Sequence, residues 1–502
     1  MNFTPENILL AGSILLFISI FASKAGGKIG VPALLLFLGV GMIGGVDGFG
    51  IEFNNPHVSQ FIGVMALSVI LFSGGMDTRF SEIKPVIAQG VTLATFGVVS
   101  TALVTGVFIH YLSNFIDGFI SLGWVESFLL ASIMSSTDSA SVFSILRSKG
   151  LQLKHNVRPL LELESGSNDP MAYMLMIFFM TILQANQTSI PLSVLNVVIQ
   201  LAVGLVAGYF LGQLTRTVIN KINLVNDALY PVLLFAFVFF TFTVTDLLHG
   251  NGYLAVYIAG MVVGNSKLLH KKNMMTFFDG FTWLWQIIIF LALGLLVKPT
   301  ELFTTPVAGA GLLIGAFMIV VARPVSVFLC LAPFLKIPFK VRLYVSWIGL
   351  RGAVPIIFAT YPLIAGIPNA DLFFNLVFFI TIISLLTQGT TVTLMAKILG
   401  ISEAEKEKAN MFGIELPEEI KSAMSEFTVI PSVLHNGNRL MDIILPDNTL
   451  VVMIKRGHQF FVPKGNTTLA VGDKLVLISD NEAELYRSYS KLGVTNYSVK
   501  KN

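Results

Sequence analysis

Residues 160–172 read Leu160-Leu161-Glu162-Leu163-Glu164-Ser165-Gly166-Ser167-Asn168-Asp169-Pro170-Met171-Ala172, a polar patch inside an apolar run that continues to residue 184. A run of this length meets the requirement for a bilayer-crossing helix, about 20 predominantly apolar residues. A carboxylate inside such a helix is costly, so each one needs a partner, a water-filled cavity or a function. Glu164 and Asn168 are four apart and share a helical face, and Ser165 and Asp169 form a second such pair on the adjacent face. Pro170 removes a backbone donor and frees the carbonyl of Gly166. At 1.5 Å per residue, Asp169 lies roughly 15 Å from the start of the run, near mid-membrane.

The patch has two counterparts. The preceding apolar run, 124–146, is interrupted by Ser135-Ser136-Thr137-Asp138-Ser139, which puts Asp138 about 20 Å along it, near the midplane of a tilted helix. Far downstream, Trp347-Ile348-Gly349-Leu350-Arg351-Gly352-Ala353-Val354-Pro355 places a cation beside glycine and proline, in a segment expected to be broken or kinked.

The whole chain fits this reading. Its 502 residues are 54% hydrophobic and 12% charged, with mean hydropathy +0.78, against roughly 25% charged for a soluble chain. Residues 1–400 hold 20 Lys+Arg and 16 Asp+Glu, whereas residues 401–502 hold 12 and 13. A membrane domain followed by a small soluble one is therefore expected. Cys330 is alone in an apolar run, which excludes a disulfide scaffold, and a net charge of +3 gives no case for nucleic acid. Thirteen apolar segments divide the first 400 residues, at 6–23, 29–46, 60–77, 86–112, 124–146, 159–184, 190–212, 229–247, 252–264, 274–297, 305–332, 342–361 and 371–397. Links after the odd-numbered segments carry 16 Lys or Arg, and the other six links carry Lys298 alone. Cationic links face the cytoplasm, so the N-terminus is expected outside and the soluble tail inside a bacterial cytoplasmic membrane.

Away from loops and helix ends, the charged residues are Asp138, Glu162, Glu164, Asp169, Arg323 and Arg351. Two carboxylates, several hydroxyls and a freed carbonyl at one depth make an oxygen-rich site suited to a desolvated monovalent cation. Burial favours the protonated carboxyl, so the same group can hold a proton once the cation leaves. The plainer alternative is that Glu164, Asn168 and Arg351 pair only to pack helices. Arg323 has no partner legible in sequence, and Asp77 and Arg79 read as interfacial. Segments 5 and 12 are seven apart and run in opposite directions, the mark of inverted halves with a discontinuous helix in each.

These motifs resemble the monovalent cation/proton antiporter superfamily, in its NhaP-type branch. The strings SSTDSASVFSILRSKGL, LELESGSNDPMA and SWIGLRGAVPII are most similar to those of its potassium/proton antiporters. The resemblance implies an all-α polytopic membrane protein of about 13 transmembrane helices, in inverted repeats with helices 5 and 12 broken, and homodimers. It implies that Asp169 alternates between proton and cation, that Asp138, the Ser165 hydroxyl and the Thr137 carbonyl are ligands, and that Asn168 and Glu164 form a polar network with Arg351. Ser139 departs from the proline that follows Thr-Asp in many relatives. The Asn168-Asp169 pair points to electroneutral one-for-one exchange of K⁺, with Na⁺ as the alternative cation. No cofactor is implied and the protein is expected not to be an enzyme. A channel would need repeated carbonyl loops or charge rings, and an intramembrane aspartyl protease a Gly-x-Gly-Asp; neither pattern is present in the sequence.

The tail divides into a charged linker, 401–424, a module at 425–492 and a terminal stretch, 493–502. Short β-rich runs are expected at Phe427–Ile430, Leu440–Leu445, Thr449–Lys455, Gln459–Val462 and Lys474–Ile478, with a helix over 481–490. Val462-Pro463-Lys464-Gly465-Asn466-Thr467 and Gly472-Asp473-Lys474-Leu475 resemble the C-terminal subdomain of potassium-conductance regulators. That implies a small α+β cytoplasmic module taking a small cytosolic ligand, without an NAD site; a purely structural tail is the alternative. Gly39-Val40-Gly41-Met42-Ile43-Gly44 is a literal dinucleotide fingerprint, but it lies inside an apolar run and fits close helix packing, with Gly41 and Gly45 at the contact. The seven histidines show no metal spacing.

Overall fold

The computed structural model describes residues 5–29, 32–53, 55–115, 121–148, 151–184, 190–404, 423–435, 437–443, 445, 449–457, 459–479 and 497–500. The chain forms two compact units, Met1–Ala404 and Glu405–Asn502.

Among the described residues, seven helices of the first unit are long and apolar enough to cross a membrane: Pro56–Asp77, Phe80–Phe115, Ile190–Lys221, Leu229–Leu247, Lys271–Leu296, Thr305–Leu331 and Ala370–Ile398. Shorter apolar helices at Leu9–Lys24, Ala33–Gly44, Trp124–Ile133, Gly252–Gly264 and Ala353–Ile364 add five. The remaining one, Val157–Gln184, is diluted by its own polar patch. Numbered along the chain these are helices 1 to 13, matching the thirteen apolar segments. Helix 5 is in two pieces, 5a (Trp124–Ile133) and 5b (Ser139–Ser148), and so is helix 12, as 12a (Phe339–Trp347) and 12b (Ala353–Ile364).

Each break has a local cause. In helix 5, short polar side chains compete with the backbone for hydrogen bonds. Ser135 Oγ donates back to the Ser132 carbonyl at 2.7 Å, and Asp138 Oδ1 accepts from the Ser141 amide at 3.2 Å, as an N-cap for helix 5b. Helix 12 breaks at glycines instead. A Cβ on Gly352 would stand 2.5 Å from Asp138 Oδ2 and 3.0 Å from its Cβ, so a side chain there would displace Asp138. Helices 4, 11 and 13 each contain one π-turn, at Leu93–Gly97, Met318–Ala322 and Leu385–Gly389.

The literal dinucleotide fingerprint is a helix contact. Gly41 of helix 2 lies against Gly294 of helix 10, where a Cβ on either would meet the other's Cα at 2.9 Å. Gly45 caps helix 2, its amide donating to the carbonyls of Gly41 and Met42. Leu151–Leu153 and Ser402–Ala404 form a short antiparallel pair, Gln152 opposite Glu403, where a link and a linker were expected. No strand was anticipated there because each has only three residues.

Among the described residues of the second unit, five antiparallel strands lie in the order Gln459–Phe461, Thr449–Arg456, Lys474–Ser479, Ala423–Thr428, Tyr497–Lys500. Phe427, Ile454, Leu475 and Leu477 form its core. Four of the expected strands are present with shifted ends. The fifth, over Leu440–Leu445, is replaced by a 3₁₀ turn at Leu440–Asp442, because the amides of Leu440 and Met441 go to the carbonyls of Thr467 and Gly465 at 2.9 Å each. The strand at Tyr497–Lys500 was not anticipated. The helix expected over 481–490 and the turn at 446–448 lie outside the described residues.

Candidate cation site

The two breaks cross. The Asp138 amide donates to the Leu350 carbonyl at 2.8 Å, and the Arg351 guanidinium donates through Nη1 to the Ser136 carbonyl. Four helix ends therefore converge: helices 5a and 12a bring carbonyl ends, and helices 5b and 12b bring amide ends. Asp138 complements the amide ends and Arg351 the carbonyl ends, as expected from the helix macrodipole.

Helix 6 lays its polar patch against this crossing. Ser136 Oγ donates to Asp169 Oδ1, and Ser141 Oγ donates to Asp138 Oδ2. Asn168 Nδ2 donates to Thr137 Oγ1 at 2.5 Å and to the Thr137 carbonyl at 3.3 Å, while Ser165 Oγ donates to that carbonyl at 3.0 Å. The Thr137 carbonyl is thus where Ser165 and Asn168 converge. Asp169, Asn168, Glu164, Thr137, Ser136 and Arg351 are all buried, and Asp138 is partly so. Helix 9 packs behind: a Cβ on Gly166 would lie 2.2 Å from the Tyr257 ring, so the helix 6 backbone and that ring are in direct contact.

The polar network differs from the expected one at Glu164. Its partner is Arg323 of helix 11, with Nη2 2.5 Å from Oε1 and side-chain exposures of 4% and 2%. Arg351, the partner expected from sequence, spends its guanidinium on helix 5. The reason is placement: Arg323 follows directly on the π-turn of helix 11 and lies beside Gly349, whose missing side chain leaves room for it at 3.3 Å from a Cβ position. Asn168 likewise bonds Thr137, not Glu164, because the break of helix 5 offers it a hydroxyl and a bare carbonyl. Glu162 lies lower on helix 6 in a pair with Arg158 at 2.8 Å.

Sequence reading missed Ser136, Ser141 and the role of Arg323. Ser136 stood in the quoted patch, and the buried charge of Arg323 was itself a signal that it needed a carboxylate.

Two crossed, unwound helices with buried carboxylates beside them are the arrangement of a secondary transporter that couples ions. Residues 13–398 match the model of the family described as "Sodium/hydrogen exchanger, transmembrane", and the chain belongs to that family. It is a multi-span cation/proton antiporter. Residues 424–488 match the TrkA-C domain. The chain is 37% identical over 478 residues to the K⁺/H⁺ antiporter NhaP of Alkalimonas amylolytica, covering 94% of this chain and 80% of that one. It is 34% identical over 483 residues to the K⁺/H⁺ antiporter NhaP2 of Shewanella oneidensis, covering 95% and 82%. The solved sodium/proton antiporter MjNhaP1 of Methanocaldococcus jannaschii shares the fold, with a TM-score of 0.66 at 23% identity over 78% of this chain and 99% of that one.

Proposed function

We propose that Asp169 is the exchanging carboxylate, binding either a proton or a monovalent cation, with Asp138, Ser165 and Thr137 completing the ligand set. The observation that carries this is the convergence at the crossing. Asp169 and Asp138 are each held by a serine hydroxyl, while the Thr137 carbonyl gathers Ser165 and Asn168. Cation binding displaces the Asp169 proton to water, and the reverse step returns it. Asn168 and the Glu164–Arg323 pair keep the surrounding charge fixed, so one proton exchanges for one cation and no net charge crosses. The sequence similarity to relatives named K⁺/H⁺ antiporters favours K⁺ as the cation.

We place the N-terminus outside and the tail inside, because the cationic links alternate so strictly, and the resemblance to bacterial cation/proton antiporters supports a homodimer in a bacterial inner membrane. Residues 1–400 are the exchanger domain, 401–424 a linker and 425–492 a regulatory module for a small cytosolic ligand.

The test is cation-induced proton release from everted vesicles. Addition of K⁺ should dissipate the pH gradient, and Asp169→Asn should abolish the response. A response to Na⁺ in place of K⁺ changes the cation assignment only. An Asp169→Asn variant as active as wild type overturns the site. Imposing a membrane potential should leave the exchange rate unchanged; acceleration overturns the one-for-one stoichiometry.

A further inference from the structure

Breaking a helix leaves carbonyls without partners on one side and amides on the other. In helix 12 one group on each side of the break is met from helix 13, at its π-turn: the Trp347 carbonyl, which also accepts from the Gly349 amide at 3.0 Å, and the Arg351 amide. Gln388 Nε2 donates to the Trp347 carbonyl at 2.7 Å, at the end of helix 12a. Ser384 Oγ accepts from the Arg351 amide at 3.0 Å, just before helix 12b. Ser384 Oγ then donates to Gln388 Oε1 at 2.6 Å. A hydroxyl has one proton and that proton is used here, so the chain runs one way and fixes the orientation of the Gln388 amide. Both side chains are 1% exposed. A π-turn inserts one residue into the helix; this one, Leu385–Gly389, starts directly after Ser384 and includes Gln388.

The bracket reaches the carboxylates in few steps. Between the two groups it holds lie Leu350, whose carbonyl accepts from Asp138, and Arg351, whose guanidinium holds the Ser136 carbonyl. Ser136 in turn donates to Asp169. Arg323, Arg351, Ser384 and Gln388 also line one small cavity beside the crossing.

We infer that Ser384 and Gln388 are positioning residues for the cation site, fixing the depth at which the unwound stretch of helix 12 meets helix 5. Their side-chain hydrogen bonds among the described residues go to Trp347, Arg351 and each other, and they act on the carboxylates through Leu350, Arg351 and Ser136. The inference rests on the reading of Asp138 and Asp169 as the cation site.

The experiment is K⁺/H⁺ exchange by the purified full-length protein in proteoliposomes, with half-saturating K⁺ and maximal rate measured separately. Ser384→Ala removes one hydroxyl and should raise half-saturating K⁺ about fivefold, the equivalent of one hydrogen bond. Gln388→Leu should raise it further, while maximal rate per folded protein stays within about twofold. Ser384→Thr keeps the hydroxyl and should restore the wild-type value. Thr391→Val, which releases the Trp347 indole held at 3.0 Å and the hydroxyl's bonds to the Thr387 and Gln388 carbonyls but leaves the Ser384 and Gln388 side-chain bonds in place, should leave it unchanged. Half-saturation within about twofold of wild type for both Ser384→Ala and Gln388→Leu overturns the inference, as does a Ser384→Thr variant no better than Ser384→Ala. If Gln388→Leu does not fold, the Ser384 pair decides alone. Asp169→Asn assayed in parallel separates the two claims: its inactivity beside unaffected Ser384 and Gln388 variants removes the bracket and keeps the site, and its full activity removes the site.

Discussion

Two arginine–carboxylate pairs, one in each unit, have almost the same closest N–O separation and opposite surroundings. Arg323 and Glu164 meet at 2.5 Å with both side chains at 4% exposure or less. Arg456 and Asp473 meet at 2.6 Å, but the arginine is 47% exposed while the aspartate is 2% exposed. In the first pair both charges are withdrawn from bulk solvent, so each relies on the other. In the second, Arg456 keeps its hydration and the carboxylate is further satisfied by the Ala470 amide at 2.8 Å. Nearly equal separations thus mark an interdependent ion pair inside the helical unit and, in the tail, a modest staple with two guanidinium hydrogen bonds.

The most severe break in this comparison is Glu164→Gln. It leaves Arg323 charged, buried and without its carboxylate, which should cost about 3–5 kcal/mol. Loss of folded protein on mild heating in detergent would report it. Adding Arg323→Met to the same chain removes the stranded charge and should recover most of that loss. Should the double variant be as unstable as the single one, the pair is not what sets the penalty.

Asp473→Ala is the matching break in the tail and should be milder. The pair includes two guanidinium bonds, at 2.8 and 2.6 Å, but half of the arginine is in water. After that screening its worth is about 1 kcal/mol. Hydrogen exchange of Thr449–Arg456 in the full-length protein should rise by roughly fivefold. Equal penalties for the two breaks would mean that exposure does not separate them.

The same contrast explains what was legible in sequence. Lipid forces long apolar runs, so each of the thirteen passes announced itself, and a Ser-Ser-Thr-Asp stretch or a Gly-flanked arginine stood out as an anomaly. Partners were harder. Glu164 and Arg323 are far apart in the chain, and Arg351 was the cation expected beside Glu164; the π-turn at Met318–Ala322 and the gap beside Gly349 bring Arg323 there instead. In the tail, nothing penalises an apolar run for leaving the sheet. Leu440–Leu445 read as a strand because of its side chains, yet its amides are claimed by Thr467 and Gly465. Three-residue strands such as Leu151–Leu153 have too little pattern to read at all.

The smallest expected effect is the response of the tail to acid. Burial pushes the Asp473 carboxyl up, but the Arg456 hydrogen bonds and the Ala470 amide outweigh it and hold the carboxyl below its ordinary value. An aspartate shifted this way contributes stability that is fully present above its unfolded value of about 3.9 and lost as pH falls through the folded value. Between about pH 5 and 7 the contribution is therefore constant. The ratio of exchange protection at Thr449–Arg456 between wild type and Asp473→Asn isolates it, because intrinsic exchange chemistry and the other carboxylates cancel. That ratio should be flat near neutrality and fall toward one below about pH 4. A ratio that instead grows on acidification would mean that Asp473 is protonated more readily in the folded tail than in the unfolded one, and that burial, not Arg456, governs it.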